Sequence, residues 1–372
     1  MSKEGIKTAY DAAKHASQEF LTDRNSTVIK SLQQSIEPIK HRIKESVIYQ
    51  KTEKRIKLKI AENVLLDTPR NYPEEYEEDV ARHGEDPNTL FVIVGNHASH
   101  VGAFTLMEEA EHIRGIVNKV RPPESQISGS AFLFAGSING GQNEGVTDNW
   151  KGVQPILDDL NVERVFVFRQ RDIDNLQLDK AQIKKVKEEE RKNLNEEIDL
   201  NKIIQILAEG TVQAGRRIKN KDGQPTEELT GMMPFVPGSI GYIEALARRK
   251  GKKVVFVPVG NEGENKIFDP NIENRTVEAK KFGLKKLVPI WKHRLDPIMK
   301  SAVGHPISYK QIVETYGNNG VLSKGFLEQF LGEVTGQLVP YIMRGVYKNP
   351  TLLDHAENIK IRRSPEVFSE KI

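Results

Sequence analysis

The chain contains no cysteine. That excludes disulfides, thiolate metal sites and a cysteine nucleophile, and it suits a reducing compartment. A long apolar run is also missing: no stretch approaches the roughly 18–20 residues needed to cross a bilayer. The opening "MSKEGIKTAYDAAKHASQEF" lacks the apolar centre of a secretory signal. A dominant charge sign is missing too. Lys and Arg number 55 against 52 Asp and Glu, a net charge of +3, so no global field points to nucleic acid. These absences predict a cytoplasmic protein, at most peripheral to a membrane.

What is present is 372 residues, enough for a large domain and a smaller one. Residues 1–70 read as a small N-terminal helical domain, with Val28, Ile29, Leu32, Ile36 and Ile39, then Ile43, Val47, Ile48, Ile56, Ile60 and Val64 at helical spacing. Pro38 separates two helices there. Residues 71–89 read as an acidic, proline-containing linker with one short helical turn. Residues 90–372 form the third piece. Its short β-rich runs at 90–94, 131–135, 165–168 and 254–259 alternate with helical segments, which predicts an α/β fold with a mainly parallel mixed sheet flanked by helices. The charged segment 179–202 reads as a solvated helix or insertion, and 215–238 as a long polar loop. A strand is expected at 307–313 and a helix over 324–347.

Four stretches carry chemistry. In "LFVIVGNHASHVGAF" an apolar strand stops at Gly95-Asn96-His97, and His100 follows. Beyond the C-terminal ends of parallel strands is where α/β proteins place ligands. A histidine there can serve as a general base near neutral pH, or be a turn residue with no chemistry. In "VERVFVFRQRD", Arg169 and Arg171 alternate along a strand and face one way. Two guanidinium forks on one face suit a phosphate; flanking Asp172 and Asp174 allow a solvated pair instead. "LAEGTVQAGRRIKNKDG" sets Glu209 and Gly210 before Arg216 and Arg217, a basic loop able to hold an anion. "ILAEG" also fits a helix closing on its C-terminal glycine. Val257-Pro258-Val259 puts a proline in a strand, which a sheet tolerates only at a boundary or bulge.

The order of these blocks resembles the PlsC-like glycerolipid acyltransferase superfamily, over about residues 88–315. "NHASHVG" occupies the N-H-x-x-x-x-D block, "FVFRQR" the basic strand end, "EGTVQAGRR" the E-G-T-R-S-R-x-G-R block and Val257-Pro258-Val259 the V-P-V strand. "VGHPIS" matches a later G-x-P-I strand. The resemblance implies transfer of a fatty acyl group from an acyl thioester to the hydroxyl of glycerol-3-phosphate or a lysophospholipid. His97 would be the base, and Arg169, Arg171, Arg216 and Arg217 would hold the substrate phosphate. Asn96, His100, Glu209 and Gly210 would support them. Acyl-CoA or acyl-carrier protein would be the co-substrate, with no metal or other cofactor. A small helical domain before a larger α/β domain is similar to the soluble glycerol-3-phosphate acyltransferases.

This chain departs from the pattern at three positions. Gly102 stands where the family's acid orients the histidine, and Val212 and Ala214 replace two arginines. Glu108, Glu109, Glu144 and Asp148 are candidate substitutes for the acid. Two other readings stay open. One is a catalytically degenerate acyltransferase fold that binds lipid. The other is a metal-dependent phosphoesterase, since Gly95-Asn96-His97 and Gly304-His305 resemble turns of that class, although too few ligands accompany them. Finally, 280–295 carries six Lys/Arg and no acid around Phe282, Leu284, Leu287, Ile290 and Trp291, a composition that suits peripheral membrane contact.

Overall fold

The computed structural model describes residues 68–97, 102–135, 157–158, 160–167, 179–209, 216–219, 225–229, 231–263, 299–340 and 343–362. The chain divides into two units, Met1–Arg55 and Ile56–Ile372, and every described residue belongs to the second. The helical expectation for 1–67 and the basic stretch 280–295 lie outside the described residues.

A mostly parallel mixed sheet organises the second unit. Its strands are β1 (Arg70–Asn71), β2 (Thr89–Gly95), β3 (Ser130–Ala135), β4 (Val162–Val167), β5 (Ile203–Leu207), β8 (Lys253–Glu262), β9 (Lys300–Val303) and β10 (Ile307–Ser308). They run in the order β1-β9-β8-β2-β5-β3-β4, with β10 also on β8. β2, β3, β4, β5 and β8 are mutually parallel, while β9 and β10 run antiparallel to β8. A separate hairpin joins β6 (Arg216–Lys219) and β7 (Pro225–Leu229), where a long polar loop was expected.

Parallel strands buried on both faces need continuous apolar runs, and β2 is buried at all seven positions. Its side chains alternate between two cores. Phe91 and Ile93 join one core with α1 (Tyr76–Gly84) and α2 (Gly102–Val120). Leu90, Val92 and Val94 join the other, with α3 (Lys180–Asp199), α4 (Ser239–Arg249), α5 (Tyr309–Tyr316) and α6 (Phe326–Gln337). The result is helix, sheet, helix.

Several local expectations give way to packing. Residues 70–84 form β1 and the nine-residue α1, because Tyr76, Asp79 and Val80 all turn inward. The strand expected at 307–313 lasts two residues. Ser308 then caps a helix, its hydroxyl accepting from Gln311 N while the Gln311 side chain accepts from Ser308 N. The helix expected over 324–347 stops at Gln337, three residues before Pro340, whose ring disfavours helix before it. The charged segment 179–202 is a helix, as expected, opened by an Asp179/Gln182 capping box.

Pro258 lies inside β8, and the sheet accommodates it for a specific reason. On that side β8 pairs with β10 up to Phe256 and with β9 from Val259. The missing N–H therefore falls opposite the 304–306 connection, where no ladder bond is required.

The far end of the described chain closes on its beginning. Arg362 Nη1 donates to Asn71 O at 2.7 Å and to Val303 O at 3.1 Å. Lys360 reaches Glu75 at 2.8 Å and Asp79 at 3.4 Å. Asp79 also accepts His305 Nδ1 at 3.3 Å.

Candidate functional site

Because β2, β5 and β8 are parallel neighbours, their C-terminal ends share one edge of the sheet. His97 follows β2, Glu209 follows β5 and Asn261 is the penultimate residue of β8. This is the edge at which α/β proteins collect functional groups.

Each residue of the turn has a distinct structural reason. Gly95 permits close approach: a Cβ there would meet Leu106 Cδ1 of α2 at 2.8 Å, and that buried side chain would have to shift. The Asn96 side chain bridges two strand ends. Its Nδ2 donates to Asn261 O at 3.0 Å and its Oδ1 accepts Asn261 N at 2.7 Å. Asn96 is buried, so this two-point clamp satisfies groups that water cannot reach. The backbone N–H of His97 donates to Glu209 Oε1 at 2.8 Å. The other oxygen, Oε2, accepts Met233 N at 2.9 Å.

Glu209 is 4% exposed. Burial pushes its carboxyl up to about 7, and the two backbone N–H bonds oppose that rise. It therefore changes charge near neutrality, and its ionised form has both oxygens matched to donors. The sequence also allowed Glu209 to end a helix; instead it follows β5, a strand buried at all five positions.

Asn261 and Thr105 extend the network into α2. Thr105 Oγ1 lies 2.9 Å from Asn261 Oδ1 and 2.7 Å from Gly102 O. Gly102 is the first residue of α2 and is buried, so this helix start is tied to the network. Sequence reasoning missed Asn261. Its one signal was a lone amide closing an otherwise apolar run, where a buried polar group must find partners.

Of the acids considered as substitutes at the histidine, two have other engagements. Glu108 forms a bidentate pair with Arg70. Glu109, fully buried, accepts Tyr72 OH at 2.9 Å and also Tyr76 OH. Burial pushes Glu109 up to about 7. Glu144, Asp148, His100, Arg169, Arg171 and Gly210 lie outside the described residues. Arg216 and Arg217 sit on β6 of the hairpin, with their backbone alone described. Among the described residues no group of three or more acidic or histidine side chains is arranged to hold a metal, and no helix is long and apolar enough to cross a membrane.

No protein-family model matches the chain, and no curated protein matches it.

The site thus consists of a histidine at a sheet edge, its backbone N–H held by a buried carboxylate and the residue before it clamped to Asn261.

Proposed function

We propose that the chain is an O-acyltransferase of the glycerol-3-phosphate or lysophosphatidate type, acting in phospholipid synthesis on an α/β scaffold of the PlsC-like kind. One observation carries this reading: three blocks of the sequence pattern converge on one turn. The "EGT" block supplies Glu209 to the His97 backbone. The strand of the V-P-V block carries Asn261 as its penultimate residue, which the Asn96 side chain clamps. A chance collection of short motifs gives no reason for such convergence.

In this reading the His97 imidazole takes the proton of the acceptor hydroxyl as that oxygen attacks the thioester carbonyl. The tetrahedral intermediate then collapses, the C–S bond breaks, and the proton passes to the leaving thiolate. Glu209 positions His97 through its backbone. Arg169, Arg171, Arg216 and Arg217 are assigned to the acceptor phosphate by their place in the pattern. The donor is acyl-CoA or acyl-carrier protein, and the N-terminal segment corresponds to the helical domain of the soluble enzymes.

A catalytically degenerate, lipid-binding relative is the second reading, favoured by one observation. Glu209 meets the His97 backbone, and Glu108 and Glu109 are engaged elsewhere. Thiol release from acyl-CoA and acyl-carrier protein, with glycerol-3-phosphate or lysophosphatidate as acceptor, separates the two. Release that His97→Ala abolishes supports acyl transfer. Absence of release with every donor and acceptor pair leaves the degenerate reading.

A further inference from the structure

Beyond its N-cap Asp179, helix α3 carries its charges against its own dipole. Residues 180–187 hold Lys180, Lys184, Lys185 and Lys187 and no acid. The helix has no acid in its first turn and no base in its last, where Glu196, Glu197 and Asp199 lie instead. The helix dipole favours the opposite arrangement at both ends. The acidic end has local uses: Glu197 pairs with Lys202 at 2.8 Å and Asp199 with Lys250. In the cationic half Lys184 meets Glu188 and Lys192 meets Glu196, each at 3.8 Å within the helix itself, and Lys187 is engaged as well.

That half also stands clear of the core. Leu194 and Ile198 are the buried residues of α3, and 180–193 are exposed or half-buried throughout. At 1.5 Å per residue this stretch spans about 20 Å. At 100° per residue Lys180, Lys184, Lys187 and Arg191 fall within a sector of about 60°. Half-buried Ile183 borders that stripe on one side and Glu188 borders it on the other, with Glu190 beyond Ile183.

Topology fixes where the stripe lies. β4 and β5 are both parallel to β2, so α3 runs back from the C-terminal edge of the sheet to the opposite edge. Its cationic half is therefore the half on the His97 side.

We propose that the cationic half of α3 is a docking surface for an anionic lipid bilayer, holding the His97 edge toward the membrane. A row of cations about 16 Å long, at 1.5 Å per residue, matches an extended charged surface better than a single phosphate. The choice of lipid over another polyanion rests on the acyl-transfer reading, whose product is an amphiphile that must enter a bilayer.

The test is sedimentation of the full-length chain with vesicles of phosphatidylcholine and phosphatidylglycerol in equal parts, and with phosphatidylcholine alone. The wild type is expected to bind the mixed vesicles, to lose binding as salt rises, and to ignore the neutral ones. A lysine near an anionic surface strengthens binding about fivefold, so the triple variant Lys180→Gln, Lys184→Gln, Lys187→Gln should weaken it about a hundredfold. The matching triple arginine variant should bind as the wild type does, which excludes a folding defect. Glutamine-variant binding equal to wild type overturns the proposal. So does retention on beads carrying acidic acyl-carrier protein, through the same lysines, with no vesicle binding. The readout uses no acyl donor. Lost vesicle binding with thiol release intact removes the docking surface alone, and the converse removes acyl transfer alone.

Discussion

Glu209 accepts the backbone N–H of His97 at 2.8 Å across a sequence separation of 112 residues. The contact joins the ends of adjacent strands β2 and β5 and makes the placement of His97 depend on a buried acid.

Glu209→Gln should expose that dependence. Glutamine has one acceptor oxygen, and its amide N–H₂ would face a backbone donor, either His97 N or Met233 N. A buried donor left unpaired costs about 1–3 kcal/mol, so the melting temperature should fall. Thiol release should drop at least roughly tenfold through kcat, with KM for the donor little changed. Unaltered kcat would show that His97 needs no such support. In the wild type Glu209 takes a proton as pH falls through about 7. The acid limb of the activity profile should therefore be steeper than one histidine titration, and should relax to a single titration in the variant.

Asn96→Ala removes both arms of the clamp and leaves Asn261 N and O buried and unpaired. Unfolding free energy should fall by about 2–4 kcal/mol, more than a surface asparagine could cost. Denaturant titration at fixed pH measures it. A loss below about 0.5 kcal/mol, the scale of ordinary surface substitutions, would mean that the two strand ends do not rely on this side chain.

Glu109 predicts a pH dependence of stability. Its carboxyl is raised from 4.5 to about 7 by burial. An acid raised in the folded state gives stability that is full below its unfolded value and is lost as pH rises through the folded one. Stability should thus decline from about pH 4.5 to about pH 7, with Glu209 contributing in the same sense. Glu109→Gln should flatten this slope, read from urea unfolding at a series of pH values. A slope equal to wild type would show that Glu109 does not titrate in that window.

Gly102→Asp places an acid at the first residue of α2, where the helix dipole favours negative charge. Turnover should rise at least roughly tenfold, by analogy with the loss seen when a histidine's orienting acid is removed. Equal turnover in wild type and variant would show that His97 already has its acid elsewhere.

Much of the scaffold was legible because strands buried on both faces leave continuous apolar runs. β2, β3, β4 and β8 all fall on such runs. β5 was not legible, because the five residues before "AEG", four of them apolar, fit a helix end as well as a strand; neighbours β2 and β3 decide it. The 67–89 stretch looked like a linker from its acids and prolines, yet Tyr76 and Val80, one turn apart, commit it to the core. At the site, His97 and Glu209 were visible as residues but their contact was not. Nothing in a linear pattern says which backbone N–H a distant carboxylate will meet. Asn261 was hidden for the same reason.

The closing contact between Arg362 and Asn71 has a use in engineering. The Arg362 guanidinium reaches the Asn71 carbonyl, 291 positions away, at 2.7 Å, so the two ends of the described backbone are tied within one arginine side chain's reach. A short glycine-serine bridge could join them, and new ends could be opened at the exposed Asn319-Gly320 turn. A permuted body of that kind would carry its chemistry free of both flanking segments.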